Sequence, residues 1–280
     1  MKITCTQSDL SRALRAVARA VGNGKTHPIL SGVLLRADGG KLQLTAYDLS
    51  IGIQTSIDAM VDTAGATVVP HRLLSDITGR LDGASVVSLT LDGDRVALAT
   101  AGGSYSLSAA SADDFPDLPA VAAADGAAID LATPLAAVLV AASTDEAKQV
   151  LTGIHLISDG SELRMEATDG HRLATRTLSC NAPDMDVVIP ARAMAQVRNP
   201  ASFAVDGGHV AIQLDTVTRM ITRTLDGTYP SVQQLIPTTF KTLATCNRES
   251  LLAALERIAC VSPNDLSLIH ISEPTRPRLI

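Results

Sequence analysis

The chain has 280 residues, enough for two domains of ordinary size and part of a third. Hydrophobic residues make up 46% of it, yet only three Tyr and three Phe are aromatic and Trp is absent, which argues against recognition of bases or sugars by stacking. A net charge of −6, from 23 Lys and Arg against 29 Asp and Glu, excludes a uniformly basic nucleic-acid coat and leaves only a local basic surface open.

In chain order, residues 1–6 alternate as a short strand, and Ser8-Asp9 supplies capping residues for a helix of about fourteen residues. Leu10, Leu14, Val17 and Val21 form one apolar stripe on it. Arg12, Arg15 and Arg19 form a second, basic stripe with no acid four residues away, so it faces either solvent or an anionic partner. After a turn at 22–28 come strands at 33–37 and 42–46, joined by an Asp38-Gly39-Gly40 hairpin signal, and a third near 51–57. Val68-Val69-Pro70 opens a second helix, with Leu73, Leu74, Ile77 and Leu81 expected inward and Arg72 and Arg80 outward. Strands at 86–91, 96–100 and 105–109 follow, and Asp113-Asp114-Phe115-Pro116 closes the unit. A helix with three strands is thus performed twice.

Small residues at 120–128 read as a linker, after which the pattern restarts. A short strand at 128–131 precedes a helix opened by Thr133-Pro134 and carrying Leu135, Val138 and Leu139. Leu151-Thr152-Gly153-Ile154 echoes Leu30-Ser31-Gly32-Val33, and Ala167-Thr168-Asp169 echoes Ala46-Tyr47-Asp48. Val188-Ile189-Pro190 echoes Val68-Val69-Pro70 and opens a helix with Met194 and Val197 inward and Arg192 and Arg198 outward. Strands near 203, 210–214 and 219–224 follow, and Thr228-Tyr229-Pro230 echoes Asp114-Phe115-Pro116. A strand at 243–246 and a helix at 248–258, with Leu251, Leu252, Leu255 and Ile258 as its stripe, begin a third copy. A repeat this long means tandem domains of one fold, with boundaries expected at 1–121, 122–241 and 242–265. Residues 266–276, LSLIHISEPTR, look like sequencing-adapter read-through, so 266–280 are expected to be a foreign tail on a truncated fragment. The third-copy helix, without its sheet, is expected to be poorly anchored.

These features together resemble the bacterial sliding clamp, the beta subunit of the replicative DNA polymerase. The resemblance rests on the repeat, the Arg-striped first helix, Met1-Lys2-Ile3, His27-Pro28-Ile29-Leu30, Asp114-Phe115-Pro116, the ATDGHRLA segment at 167–174, and Tyr229-Pro230 followed by Leu235-Ile236-Pro237. It implies an α+β fold of tandem (βαβββ)2 clamp domains, helices lining a DNA-facing side and antiparallel sheets outside. It implies a processivity factor that encircles double-stranded DNA without reading sequence, as a head-to-tail homodimer ring. Diffuse Arg and Lys charge without stacking aromatics is what sliding requires. By position, the resemblance assigns Lys25, Arg72, Lys148 and Gln149 to DNA, with Arg12, Arg15, Arg19 and Arg192 behind them. It assigns Leu151, Thr168, Gly170, His171, Arg172, Leu173 and Pro237 to a pocket for short hydrophobic peptides of the polymerase and clamp loader. Ser104, Tyr105, Ser106 and Leu107 would be the edge strand of the ring interface, which is not expected to close in this fragment.

Two other readings compete. Asp169 and His171 could form an acid–base pair, but no nucleophile accompanies them, Asp48 recurs without a His, and GxxxxGK[ST], GxGxxG and HExxH are absent. The bland alternative is that both Asp residues hold tight turns. A tandem-domain scaffold that does not act on DNA is the other rival, since the helix at 135–143 carries no Arg. Cys5, Cys180, Cys246 and Cys260 are scattered, so reduced thiols are expected, with no metal and no cofactor. No signal-peptide pattern follows Met1, and no apolar run nears the roughly 18 residues of a membrane span, so a soluble cytoplasmic protein is expected.

Overall fold

Alternating apolar residues become strands, and the 3.6-residue stripes become helices, in a computed structural model that describes residues 1–260 except 123, 125, 199 and 233–235. The first copy runs β1 (Lys2–Thr6), α1 (Gln7–Val17), β2 (Gly32–Asp38), β3 (Lys41–Tyr47), β4 (Ile51–Asp58), β5 (Met60–Thr63), β6 (Gly65–Pro70), α2 (His71–Thr78), β7 (Val86–Asp92), β8 (Arg95–Thr100) and β9 (Gly103–Ser108). The second runs α3 (Ala132–Leu139), β10 (Gly153–Ser158), β11 (Glu162–Thr168), β12 (Leu173–Ser179), β13 (Met185–Pro190), α4 (Ala191–Met194), β14 (Ser202–Asp206), β15 (His209–Gln213) and β16 (Arg219–Arg223). These belong to a compact unit spanning Met1–Pro230; a second unit, from Ser231 on, carries α5 (Arg248–Ala259).

Copy one builds a five-stranded sheet, β5-β1-β7-β8-β9, and copy two a four-stranded one, β12-β11-β10-β13. A seven-stranded sheet, β14-β15-β16-β4-β3-β2-β6, takes strands from both copies, because β16 pairs antiparallel with β4 from Arg219↔Gln54 to Thr222↔Ile51. One core therefore runs through both copies. On α1, Leu10, Leu14 and Val17 are fully buried, each stabilising by about 1.5–3 kcal/mol relative to exposure. The β2–β3 hairpin turns on Gly39 and Gly40 at φ +54° and +78°, the left-handed pair that a two-residue turn of matching twist needs.

Several expectations shift. Helix α1 is capped two residues before Ser8, by the Thr6 side chain, which accepts from the Asp9 N–H. Strands β5 and β6 were hidden because Met60–Thr63 is short and exposed and Gly65–Pro70 ran on into the helix signal. Leu73 is 46% exposed and does not face the core, which α2 reaches through Leu74 instead. The short strand expected at 128–131 reduces to a single bridge, Ile129↔Ala201. Helix α4 lasts only one turn, although Met194 and Val197 are buried as expected.

In the second unit, residues 243–246 form no strand. Helix α5 is capped by Asn247, whose side chain accepts from the Ser250 N–H at 3.0 Å. Its Leu251, Leu252 and Leu255 are 49%, 44% and 38% exposed. Leu235 and the whole segment 261–280, including the tail at 266–280, lie outside the described residues.

Candidate functional site

The ATDGHRLA segment is the connection between β11 and β12. Asp169 Oδ1 accepts from the backbone N–H groups of His171 at 2.9 Å and Arg172 at 3.0 Å, while Oδ2 accepts from Arg172 Nε at 2.9 Å. Those backbone donors, then the Arg172 side chain, hold the carboxyl down at about 2. Thr168 Oγ1 donates to the Arg172 carbonyl at 2.7 Å and accepts from the Gly170 N–H at 3.1 Å. Gly170 takes φ +94°, where a side chain would be strained. With its carboxylate spent on the turn, Asp169 has little left for acid–base work with His171.

Copy one repeats this geometry 121 positions earlier. Asp48 Oδ1 accepts from the N–H groups of Ser50 at 2.9 Å and Ile51 at 2.7 Å, and Leu49 sits at φ +71° in the place of Gly170. The second oxygen differs: Asp48 Oδ2 accepts from Arg192 Nη1 at 2.9 Å, so the copies are tied at this turn as well as through the β16–β4 ladder. Arg192, expected to be available to DNA, is engaged here.

Behind the copy-two turn lies a polar cluster that sequence reasoning missed. Tyr229 OH accepts from the Thr168 N–H at 3.0 Å, anchoring the last residue of β11. Burial, together with the nearby Glu166 carboxylate, pushes its phenol up to about 12. The Tyr229 ring packs on His155 with centroids 4.7 Å apart. His155 Nε2 lies 2.7 Å from Asp186 Oδ1, and its Nδ1 lies 3.4 Å from Glu166 Oε2 without hydrogen-bond alignment. Glu166, 3% exposed, places its other oxygen 2.9 Å from Arg164 Nε. The available signal was the repeat itself, because His155 and Glu166 face each other across β10–β11 where Leu34 and Thr45 face each other across β2–β3.

Of the basic candidates, Arg12, Arg15, Arg19, Lys25, Arg72, Lys148 and Arg192, with Gln149, are all exposed. Arg12 is 2.6 Å from Asp9, a partner three residues away that a search at four residues overlooks. Arg72 lies 3.9 Å from Asp76 with a side chain 95% exposed, a weak pair. Arg15, Arg19 and Lys25 have no ion pair among the described residues. Lys148, at non-helical φ −104°, ψ 58°, sends Nζ to within 3.4 Å of the Asp169 carbonyl, so a DNA candidate adjoins the peptide-pocket turn.

Among the pocket candidates, Thr168, Gly170, His171, Arg172 and Leu173 share the turn. Leu151 is half-buried, at the end of the segment Glu146–Thr152 that also carries Lys148. Pro237 belongs to the second unit and is exposed. Strand β9 is an outer strand of its sheet; Ser104, Tyr105 and Ser106 are exposed, whereas Leu107 is 1% exposed and serves the core. No group of three or more His, Cys, Asp or Glu among the described residues is arranged for a metal, and no described helix is long and apolar enough to cross a membrane.

Two (βαβββ)2 copies sharing a sheet define the class of DNA-clamp proteins. The sliding clamp of Bacillus subtilis matches at a TM-score of 0.89 and 26% identity, over 95% of this chain and 76% of that one. The family description "DNA polymerase III beta subunit, N-terminal domain" matches residues 1–119, and the central-domain description matches 129–231. The beta sliding clamp of Synechococcus elongatus is 40% identical over 299 aligned positions, covering 100% of this chain and 79% of that one. That of Synechocystis sp. is 38% identical, covering 96% and 77%. The chain belongs to the DNA polymerase III beta subunit family, the bacterial beta sliding clamps, whose setting is DNA replication.

Proposed function

We propose that the chain works as a non-catalytic processivity clamp whose α1 face lies toward the phosphates of duplex DNA. The observation that carries this is the exposed Arg15 and Arg19 on and just after α1, with no acidic partner among the described residues, on a scaffold whose copies are joined strand to strand. Lys25, Lys148, Gln149 and Arg72 extend that surface, and Arg12 and Arg192, each held by an aspartate, contribute less. Charge without base-reading groups favours sequence-independent contact. In this reading the domains are 1–121, 122–241 and the start of a third at 242–265, the partners are polymerase and clamp loader, the β9 edge is the ring interface of the family's homodimer, which this chain by itself is not expected to close, and the setting is the cytoplasm.

The Gly170–Leu173 turn is the docking wall for a partner's hydrophobic peptide. Its backbone is held by Asp169 and Tyr229, so Leu173 and the stems of His171 and Arg172 present a shaped apolar edge. The test on DNA replaces Lys25 and Lys148 by Ala in a clamp assembled on circular duplex and measures retention against salt. Each lost phosphate contact lowers the slope of log K against log salt by about 0.9. An unchanged slope removes both residues from the DNA surface.

A further inference from the structure

Copy one serves as an internal control for copy two. The strand registers equate Leu34 with His155, Thr45 with Glu166 and Ala66 with Asp186, and the closing motifs equate Phe115 with Tyr229. Copy one folds with apolar or small neutral residues at these positions, so the polar cluster of copy two is not a requirement of the fold. Taking Glu166 and His155 out of water carries a desolvation cost that a packed apolar set avoids.

Beside the cluster is a cavity of about 360 Å³ lined by Asp186, Val188, Leu225, Gly227, Thr228 and Tyr229, among others. Its charge is easily apportioned. Glu166 has both oxygens directed at protein groups, Arg164 and His155. Asp186 has a side chain 77% exposed and gives one oxygen to His155, leaving the other for a cation at the mouth. Val188 and Leu225 offer apolar wall to an aliphatic stem. Tyr229 lines this cavity and also holds Thr168 of the docking turn, so the two places adjoin.

We propose that this cavity takes the side chain of a lysine or arginine in the partner peptide, next to the apolar anchor held by the Gly170–Leu173 turn. The assignment rests on the docking reading above, and the experiment separates the two. The probes are hexapeptides containing Leu and Phe with Lys at one end or the other, the same peptides with norleucine in place of Lys, and the capped single residues N-acetyl-lysine and N-acetyl-norleucine methylamide. Binding is followed by amide NMR shifts. The better lysine peptide binds about threefold tighter than its norleucine twin and moves Gly227 and Thr228. Asp186→Asn, on a largely exposed side chain, abolishes that preference while the norleucine peptide binds as before. Equal binding of the twins to the unmodified chain, with Gly227 and Thr228 unmoved, overturns the cavity assignment alone. If the peptides leave Gly170 and Leu173 unmoved while capped lysine still shifts Gly227 and Thr228, the docking reading falls and the cation site stands. If no probe moves either region, both fall.

Discussion

Replacing Tyr229 by Phe isolates one hydrogen bond. The ring and its packing on His155 remain, and only the hydroxyl that accepts from the Thr168 N–H at 3.0 Å is removed. Thr168 is 9% exposed, so water reaches its amide poorly once the partner is gone. A buried donor left unpaired costs about 1–3 kcal/mol, against roughly 0.5–1.5 kcal/mol for the net value of the bond itself. Urea unfolding of the Met1–Pro230 unit should therefore show a loss of about 1–2 kcal/mol with the denaturant slope unchanged. Hydrogen exchange gives the local readout. Protection at the Thr168 amide should fall by more than the roughly 5- to 30-fold that the global loss alone produces, while protection in β2 and β3, whose closing aromatic is Phe115, should fall by no more than that. A loss below about 0.3 kcal/mol with Thr168 protection intact would refute the reasoning, because water or a shifted turn would then be satisfying the amide.

Other perturbations test neighbouring claims. A Cβ at Gly52 would collide with Leu118 and crowd the Tyr47 ring, so Gly52→Ala should destabilise by about 1–3 kcal/mol in thermal or urea unfolding; a neutral result would mean that Leu118 moves aside. The Asp169 carboxyl should titrate near 2 by carbon NMR, below the ordinary value of 3.8. Since its folded value is depressed, its contribution to the turn is present above about 3.8 and fades as pH falls toward 2, and a midpoint near 4 would contradict the turn hydrogen bonds. Burial, then the nearby Asp9 carboxylate, pushes the Cys5 thiol up to about 12, so its alkylation at neutral pH should wait for unfolding while Cys246 and Cys260, both exposed, react at once.

Much of the architecture was legible in local pattern. Alternation marked the strands of both copies, Gly39-Gly40 marked a hairpin, and the echo of Asp48 in Asp169 marked a turn, because side-chain period and left-handed turn residues are decided within a few positions. The echo also explains why an Asp-His-Arg cluster need not be a catalytic loop. Less legible was where each charge goes. Arg192 finds Asp48 144 positions away, and His155 finds Asp186 31 positions away, separations that periodicity does not encode.

The sequence alone determined that this chain repeats one βαβββ design and which faces of its elements are apolar. Only the tertiary structure decided that β16 joins β4 into a shared sheet, that Arg12 and Arg192 are held by aspartates while Arg15 and Arg19 have no ion pair among the described residues, and that Tyr229 anchors the β11–β12 turn beside a polar cavity. The physical reason is range. A strand's period is written in its neighbours, whereas strand partners, ion pairs and a buried donor's acceptor depend on segments that meet only when the core closes.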